Sequence, residues 1–289
     1  MKLVFRDKID VKKWDAEVTS SDVQNPLIYS WALDATCEWC AVIKEDYSFI
    51  FPIPFVKRFG VQRALQQAYS RQMDYIGSSE DFLSAIELIK KEFAECELRL
   101  TDADPGIADQ KFQFLDFNLD YKYKSNAVRL IKRASKLFTY ETSGNYKPLL
   151  KLYSKNSFKK FHQPKSNLLK LDNLMLRMIE RKKGIVINAM HQGELVGSLF
   201  LIQDKSTMYY LIGDSNPNSK KDGVMFGLMN DAINLAKEKG LSRFDFGGSN
   251  VDSVAQFYKK FGAVDQFYTR ITWNNLPFWF KILKRLKKS

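Results

Sequence analysis

The run from Arg243 to Ala263 constrains the fold more than any other stretch of the chain. It reads Arg-Phe-Asp-Phe-Gly-Gly-Ser-Asn, then Val-Asp-Ser-Val, then Ala-Gln-Phe-Tyr-Lys-Lys-Phe-Gly-Ala. Phe244 and Phe246 alternate with Arg243 and Asp245, the period of a strand with one buried face. Gly247 and Gly248 break the strand and let the backbone approach a ligand closely. Ser253 is placed to cap a helix on which Val254, Phe257, Tyr258 and Phe261 share a face, and Gly262 is placed to end it. An acidic residue and two glycines therefore stand at the C-terminal end of a strand with a helix following, the edge where α/β sheets bind ligands.

This strand-turn-helix resembles the last one of the GNAT acyltransferase fold. It most resembles the variant in the Fem-type (FemAB-like) peptidyltransferases, where a strand ending in Asp-Phe-Gly-Gly and a helix ending in Phe-Gly-Ala occur together. Residues 125–137 add Asn126-x-x-Arg129-x-x-x-x-Ala134, which is also similar to the Fem-type pattern. The resemblance implies an α/β (α+β) chain of two tandem GNAT-like domains, each a mixed, mostly antiparallel sheet flanked by helices. It also implies acyl transfer, since Fem-type enzymes extend peptidoglycan precursors from aminoacyl-tRNA. The tRNA-handling members often carry a coiled-coil arm, and no such heptad insertion occurs here.

The residues themselves support two units. Apolar runs Trp39–Ile43 with Phe49–Val56, and Ile185–Met190 with Leu195–Gln203, are hairpin signals. Each is followed by a further short strand, a helical pattern and another strand, so the order hairpin, strand, helix, strand occurs at 39–102 and again at 185–247. The expected division is 1–122, 123–275 and a basic aromatic tail at 276–289. Residues 60–74 are polar, with Arg63, Gln66, Gln67 and Arg71, and read as a solvated loop or a substrate loop. Three cysteines, Cys37, Cys40 and Cys96, leave one unpaired in any disulfide scheme, which fits a reducing cytoplasm. His162 lies in a basic loop and is read as polar surface.

In GNAT enzymes, acyl-CoA phosphates lie at a helix N-terminus, where unpaired N–H groups and the helix dipole favour anions. The matching loop here is Lys220-Lys221-Asp222-Gly223-Val224-Met225, with Lys220 as a basic substitute and Met225 in place of a small residue. Asp222 would place a negative charge beside the phosphates. By the same resemblance Gly247, Gly248, Ser249 and Asn250 are further donor-binding residues. Tyr258 matches the Tyr that protonates the leaving group, and it also belongs to an apolar helix face. Asp214 and Asp245, at strand ends, are candidate acceptors for the amine proton; Asp245 reads equally well as a structural carboxylate.

Arg129, Lys132, Arg133 and Lys136 form a basic stripe on one helix, either a solvated face or a contact for phosphate oxygens. The net charge of +12 favours acidic partners. Phe278, Trp279, Ile282 and Leu286 accompany five cations in the tail, which either packs on its domain or lies on an anionic membrane. The expected activity is transfer of an acyl or aminoacyl group from an activated carrier, acyl-CoA or aminoacyl-tRNA, to an amine acceptor such as a cell-envelope precursor. It needs no metal and no tightly bound cofactor. The alternatives are acyl-CoA-dependent N-acetylation of a small molecule, and a non-catalytic GNAT-like protein that binds RNA or membrane. A cytoplasmic place, or the inner face of the membrane, fits either.

Overall fold

The computed structural model describes every residue except Gln24, Ala103, Pro105, Phe161, His162, Ser249 and Lys287 to Ser289. The readings of His162 and Ser249 therefore lie outside the described residues. In chain order the first elements are β1 (Lys2–Phe5), α1 (Val11–Ser20), α2 (Ser30–Thr36), β2 (Glu38–Ile43), β3 (Ile50–Arg58), β4 (Val61–Leu65), α3 (Ser79–Glu92) and β5 (Glu95–Leu100). Then come β6 (Ile107–Asp116), α4 (Ser125–Leu137), β7 (Thr139–Ser143), α5 (Lys147–Lys155), α6 (Ser157–Lys160), α7 (Lys165–Glu180), β8 (Gly184–His191), β9 (Glu194–Gln203) and β10 (Thr207–Ser215). The last are α8 (Val224–Glu238), β11 (Arg243–Gly248), α9 (Asp252–Lys259), β12 (Val264–Asn274) and α10 (Phe278–Leu286).

The two halves repeat one pairing pattern. Strands β1 to β4 pair antiparallel in order, and β4 runs parallel to β5 across the crossover helix α3. Likewise β7 to β10 pair antiparallel, and β10 runs parallel to β11 across α8. The closing strands are exchanged. β6 follows β5 in sequence but pairs with β11, and β12 follows β11 but pairs with β5. The compact units are accordingly Met1–Gln110 with Phe267–Ser289, and Lys111–Gln266. They depart from the expected boundaries at 122 and 275 because strand pairing, not sequence order, decides which half holds a segment. The tail region belongs to the unit of the N-terminal half.

Each unit has its own core. In the first, Phe82, Ala85, Ile86 and Ile89 of α3 are buried, as their spacing predicts, against Phe49, Phe51 and Trp14. The Trp14 indole N–H, buried with its ring, reaches the Ile28 carbonyl at 2.9 Å. In the second, Phe244 and Phe246 of β11 meet Leu228, Met229 and Ala232 of α8 and Phe261. Each of the Phe, Leu, Ile and Met side chains among these contributes roughly 1.5–3 kcal/mol on burial.

Two local expectations change. Residues 60–74 are not one loop: Val61–Leu65 is β4, and the segment after it is stitched to β5. The Gln66 side chain accepts the Arg99 N–H at 3.0 Å and donates to the Ser70 carbonyl at 3.0 Å. Ser253 does not cap α9, which begins at Asp252 with no side-chain cap. Among the described residues none of the three cysteines is in a disulfide; burial pushes Cys40 up to about 12 and raises Cys96 as well.

Asp74 is buried and accepts from the Thr101 N–H (2.7 Å), the Thr101 hydroxyl (3.1 Å) and the Asn25 amide (2.9 Å). Burial raises its pKa despite those donors. The folded protein therefore takes up this proton at higher pH than the unfolded chain, so the contribution of Asp74 to stability rises as pH falls through the folded value. In urea titrations the wild type should gain stability relative to Asp74→Asn on going from neutral to acidic pH. A difference that stays flat with pH would mean that the carboxyl keeps its ordinary pKa.

Candidate active site

Strands β10 and β11 are paired only from Thr207↔Arg243 to Tyr209↔Asp245. Beyond that point they part, while each keeps its outer partner: β10 stays on β9 to Ser215↔Gly197, and β11 on β6 to Gly248↔Phe112. Each strand is irregular just past the last shared pair, between Tyr210 and Ile212 and between Asp245 and Gly247. A bulge bends its strand and frees a backbone group from the ladder. Two bulges at the parting point open a fork walled by peptide groups. The fork lies at the C-terminal ends of the parallel pair, where the chain leads into α8 and α9.

Two buried carboxylates hold the arms of the fork. Asp245 Oδ1 accepts the Gly247 N–H at 2.6 Å, and Gly247 has φ +87°, which a side chain would strain. On the other arm Asp214 accepts the Ser157 N–H (3.0 Å), the Ser215 N–H (2.8 Å) and the Asn156 amide (3.4 Å). It thereby ties the α5–α6 junction to the end of β10. Tyr258 is buried, stacked on Phe246 at 4.9 Å and edge-on to Tyr210 at 6.3 Å. The Tyr210 hydroxyl lies over Gly213, 2.9 Å from where a Cβ would be.

The helix that starts beside this fork is fixed by close backbone contact. Gly223 has φ +81°, and a Cβ there would lie 2.7 Å from the Leu130 carbonyl oxygen of α4. Helix geometry leaves the N–H groups of Val224 and Met225 without intrahelical acceptors. Lys220 and Lys221 are exposed on the 3-10 turn Pro217–Asp222. Asp222 is paired with Arg133 of α4 at 2.5 Å, so its negative charge is offset locally. Arg129, Lys132 and Lys136 are exposed along the same helix.

The structure therefore joins two groups that the sequence held apart: the Lys220–Val224 loop and the α4 stripe. It also gathers Asp245, Gly247 and Tyr258 around Phe246. Asn250 is directed elsewhere, its side chain accepting the Lys111 N–H at 3.0 Å, and Gly248 is exposed in open space. Sequence reasoning missed Tyr210, Asn156 and Ser215. The Ser215 hydroxyl is buried and has no hydrogen-bond partner among the described residues. Only position past the parting point marks these residues, and that position depends on pairing between strands. Among the described residues no three His, Cys, Asp or Glu side chains are grouped as metal ligands, and no helix is long and apolar enough to cross a membrane.

Residues 132–260 match the model of the acetyltransferase (GNAT) domain. That span covers the Arg133–Asp222 contact, the fork, α8 and α9. No curated protein matches the chain. Among solved structures, FemX is similar over 100% of both chains at 13% identity, with a TM-score of 0.66. The C-terminal domain of a putative lysylphosphatidylglycerol synthetase from Agrobacterium fabrum is similar over 92% of both at 11% identity, with a TM-score of 0.61. A tandem GNAT protein of the clavulanic acid biosynthesis pathway covers 96% of this chain and is itself covered over 99%, at 9% identity and a TM-score of 0.52. Residues 132–260 are thus similar to an acetyltransferase (GNAT) domain, and the chain has a tandem GNAT-like fold, that of FemX and of the clavulanic acid pathway protein.

Proposed function

We propose that the protein transfers an aminoacyl group from a phosphate-rich carrier, aminoacyl-tRNA being the favoured class, to an amine on a cell-envelope precursor. The observation that carries this reading is the fork beside a cationic rim that runs from Lys220 and Lys221 onto α4. Its exposed cations, Lys220, Lys221, Arg129, Lys132 and Lys136, outnumber the charges of one pyrophosphate, which favours a polynucleotide carrier. The Fem-like fold and the aminoacylated lipid in the name of one structural neighbour are in keeping with it.

In the proposed step the acceptor nitrogen attacks the ester carbonyl. An N–C bond forms, the C–O bond to the carrier ribose breaks, the nitrogen loses a proton and the ribose oxygen gains one. Freed N–H groups at the fork would hold the oxyanion. Tyr258 is assigned to the proton of the leaving oxygen. Asp214 and Asp245, already engaged by N–H donors, are assigned to positioning the two arms.

Incubation with charged tRNA and an amine-bearing precursor, read by mass spectrometry, should show the aminoacyl mass added to the acceptor. Tyr258→Phe should lower turnover by about 100-fold or more, the usual range for a lost general acid, with little change in thermal midpoint. Turnover unchanged by Tyr258→Phe would remove that residue from the chemistry. The second reading, an acyl-CoA donor, rests on Gly223 at the start of α8. Saturable binding of acetyl-CoA in calorimetric titration, together with no transfer from tRNA, would favour it.

A further inference from the structure

Helix α10 turns its apolar side the wrong way for a packed helix. Only Phe280 is buried, in a small cluster with Leu276 and Val61, and Lys284 pins the helix to Glu95 at 2.6 Å. At about 100° per residue, Phe278, Ile282, Leu286, Trp279 and Leu283 fall in one continuous arc. All five are exposed, Phe278 by 79% and Leu286 by 69%. Lys281 and Arg285 border that arc on its Phe278 edge, and the chain has no acidic residue after Asp265.

A second segment of the same unit meets this helix. Arg58↔Val61 closes the β3–β4 hairpin, so Phe59 and Gly60 form its two-residue loop, with φ of +50° and +77°. Positive φ at both positions is the turn that favours Asn-Gly or Gly-Gly, and a bulky aromatic there is a backbone outlier. Phe59 is nevertheless 64% exposed, with the Arg58 guanidinium 5.0 Å from its ring. Phe59, Leu283, Leu286, Phe280, Arg58 and Lys284 line a concavity of about 620 Å³. On the other side of α10, Asn274, Lys281, Lys284 and Arg285 line a smaller one of about 250 Å³. Strained backbone that displays an aromatic to solvent is retained where it serves a contact outside the fold.

We propose that α10 and the tip of the β3–β4 hairpin dock in the plane of an anionic lipid leaflet, the apolar arc and Phe59 entering the acyl boundary and Lys281, Arg285 and Arg58 meeting headgroup phosphates. Apolar exposure bordered by cations suits that surface on both counts. A nucleic acid would use the cations and leave the apolar arc in water. A second copy would bring like charges together at the rim. The proposal stands independently of the acyl-transfer reading.

The test is flotation of the full chain with vesicles of phosphatidylcholine alone, and with added phosphatidylglycerol, at low and high salt. The expected result is binding to the anionic vesicles at least tenfold tighter than to neutral ones. Phe59→Asn suits the turn, so it should fold at least as stably as the wild type yet bind anionic vesicles about tenfold more weakly. Trp279→Ser should do the same, and Lys281→Glu with Arg285→Glu should abolish the preference for anionic lipid. No binding to anionic vesicles would overturn the proposal. So would binding unaffected by both Phe59→Asn and Trp279→Ser. RNA binding at this face that needs Lys281 and Arg285 but not Phe59, without lipid binding, would assign it to a polyanion. Self-association abolished by Phe59→Asn, without lipid binding, would assign it to a second copy.

Discussion

Gly223→Ala lowers stability by about 3 kcal/mol and weakens donor binding at least tenfold. Two effects add. A left-handed backbone costs an L-residue about 1–2 kcal/mol, and forcing a group into a filled space costs about 1–3 kcal/mol more. The obstacle is the Leu130 carbonyl oxygen, 2.7 Å from the new Cβ. It belongs to helix backbone and cannot rotate away, so α8 must move. A shift of about 1 Å at the helix start is enough to cost on the order of 100-fold in a positioned reaction. Gly240→Ala is the control: Gly240 has φ +70° with nothing within 4 Å, so only the backbone cost, about 1 kcal/mol, applies. Urea denaturation of both variants separates the two effects, and calorimetric titration with the carrier reads the site. Equal losses in the two variants would show that the α4 contact does not fix the start of α8.

Asp214→Ala is the second large effect, a loss of about 3 kcal/mol. Its carboxylate takes two backbone N–H groups, from Ser157 and Ser215, and each stranded donor costs about 1–3 kcal/mol according to its burial. Asp214→Asn keeps one acceptor oxygen and should lose about half as much. Amide exchange at Ser157 should quicken in both, because that donor ties the α5–α6 junction to β10. Turnover should fall in step with this loosening. An Asn variant that is as stable as the wild type but inactive would instead make Asp214 a catalytic carboxylate.

Much of the local structure was legible in residue order. The two hairpins, the buried face of α3, the span 125–137 of α4 and the strand at Arg243 all formed where apolar runs and spacing put them. The 3.6-residue periodicity reports the one-sided burial of α3 directly, whereas β2, β9 and β11 are buried on both faces, Asp245 included. The resemblance of Arg243–Ala263 to the Fem-type pattern also agrees with the GNAT domain match over residues 132–260 and with the fold shared with FemX. Reading failed where the deciding partner is distant. β4 is only five residues long, and its partner β5 lies beyond a helix. Ser253 had cap chemistry, but α9 begins one residue earlier.

The candidate site divides in the same way. Residue types and their order determined that an acidic strand end, a double glycine and an aromatic helix follow one another, and that a basic loop precedes α8. Those are properties of consecutive residues. The tertiary structure alone decided that β10 and β11 part after Tyr209 and Asp245, that Asp214 serves Ser157, that Asp222 is paired with Arg133, and that Gly223 rests on Leu130. It alone decided that β6 and β12 exchange places, and that the apolar arc of α10 faces outward beside Phe59. Each of these depends on strand register or on contact between segments far apart in sequence. Local propensity carries no term for such contacts, since their free energy exists only once the chain has brought both partners together.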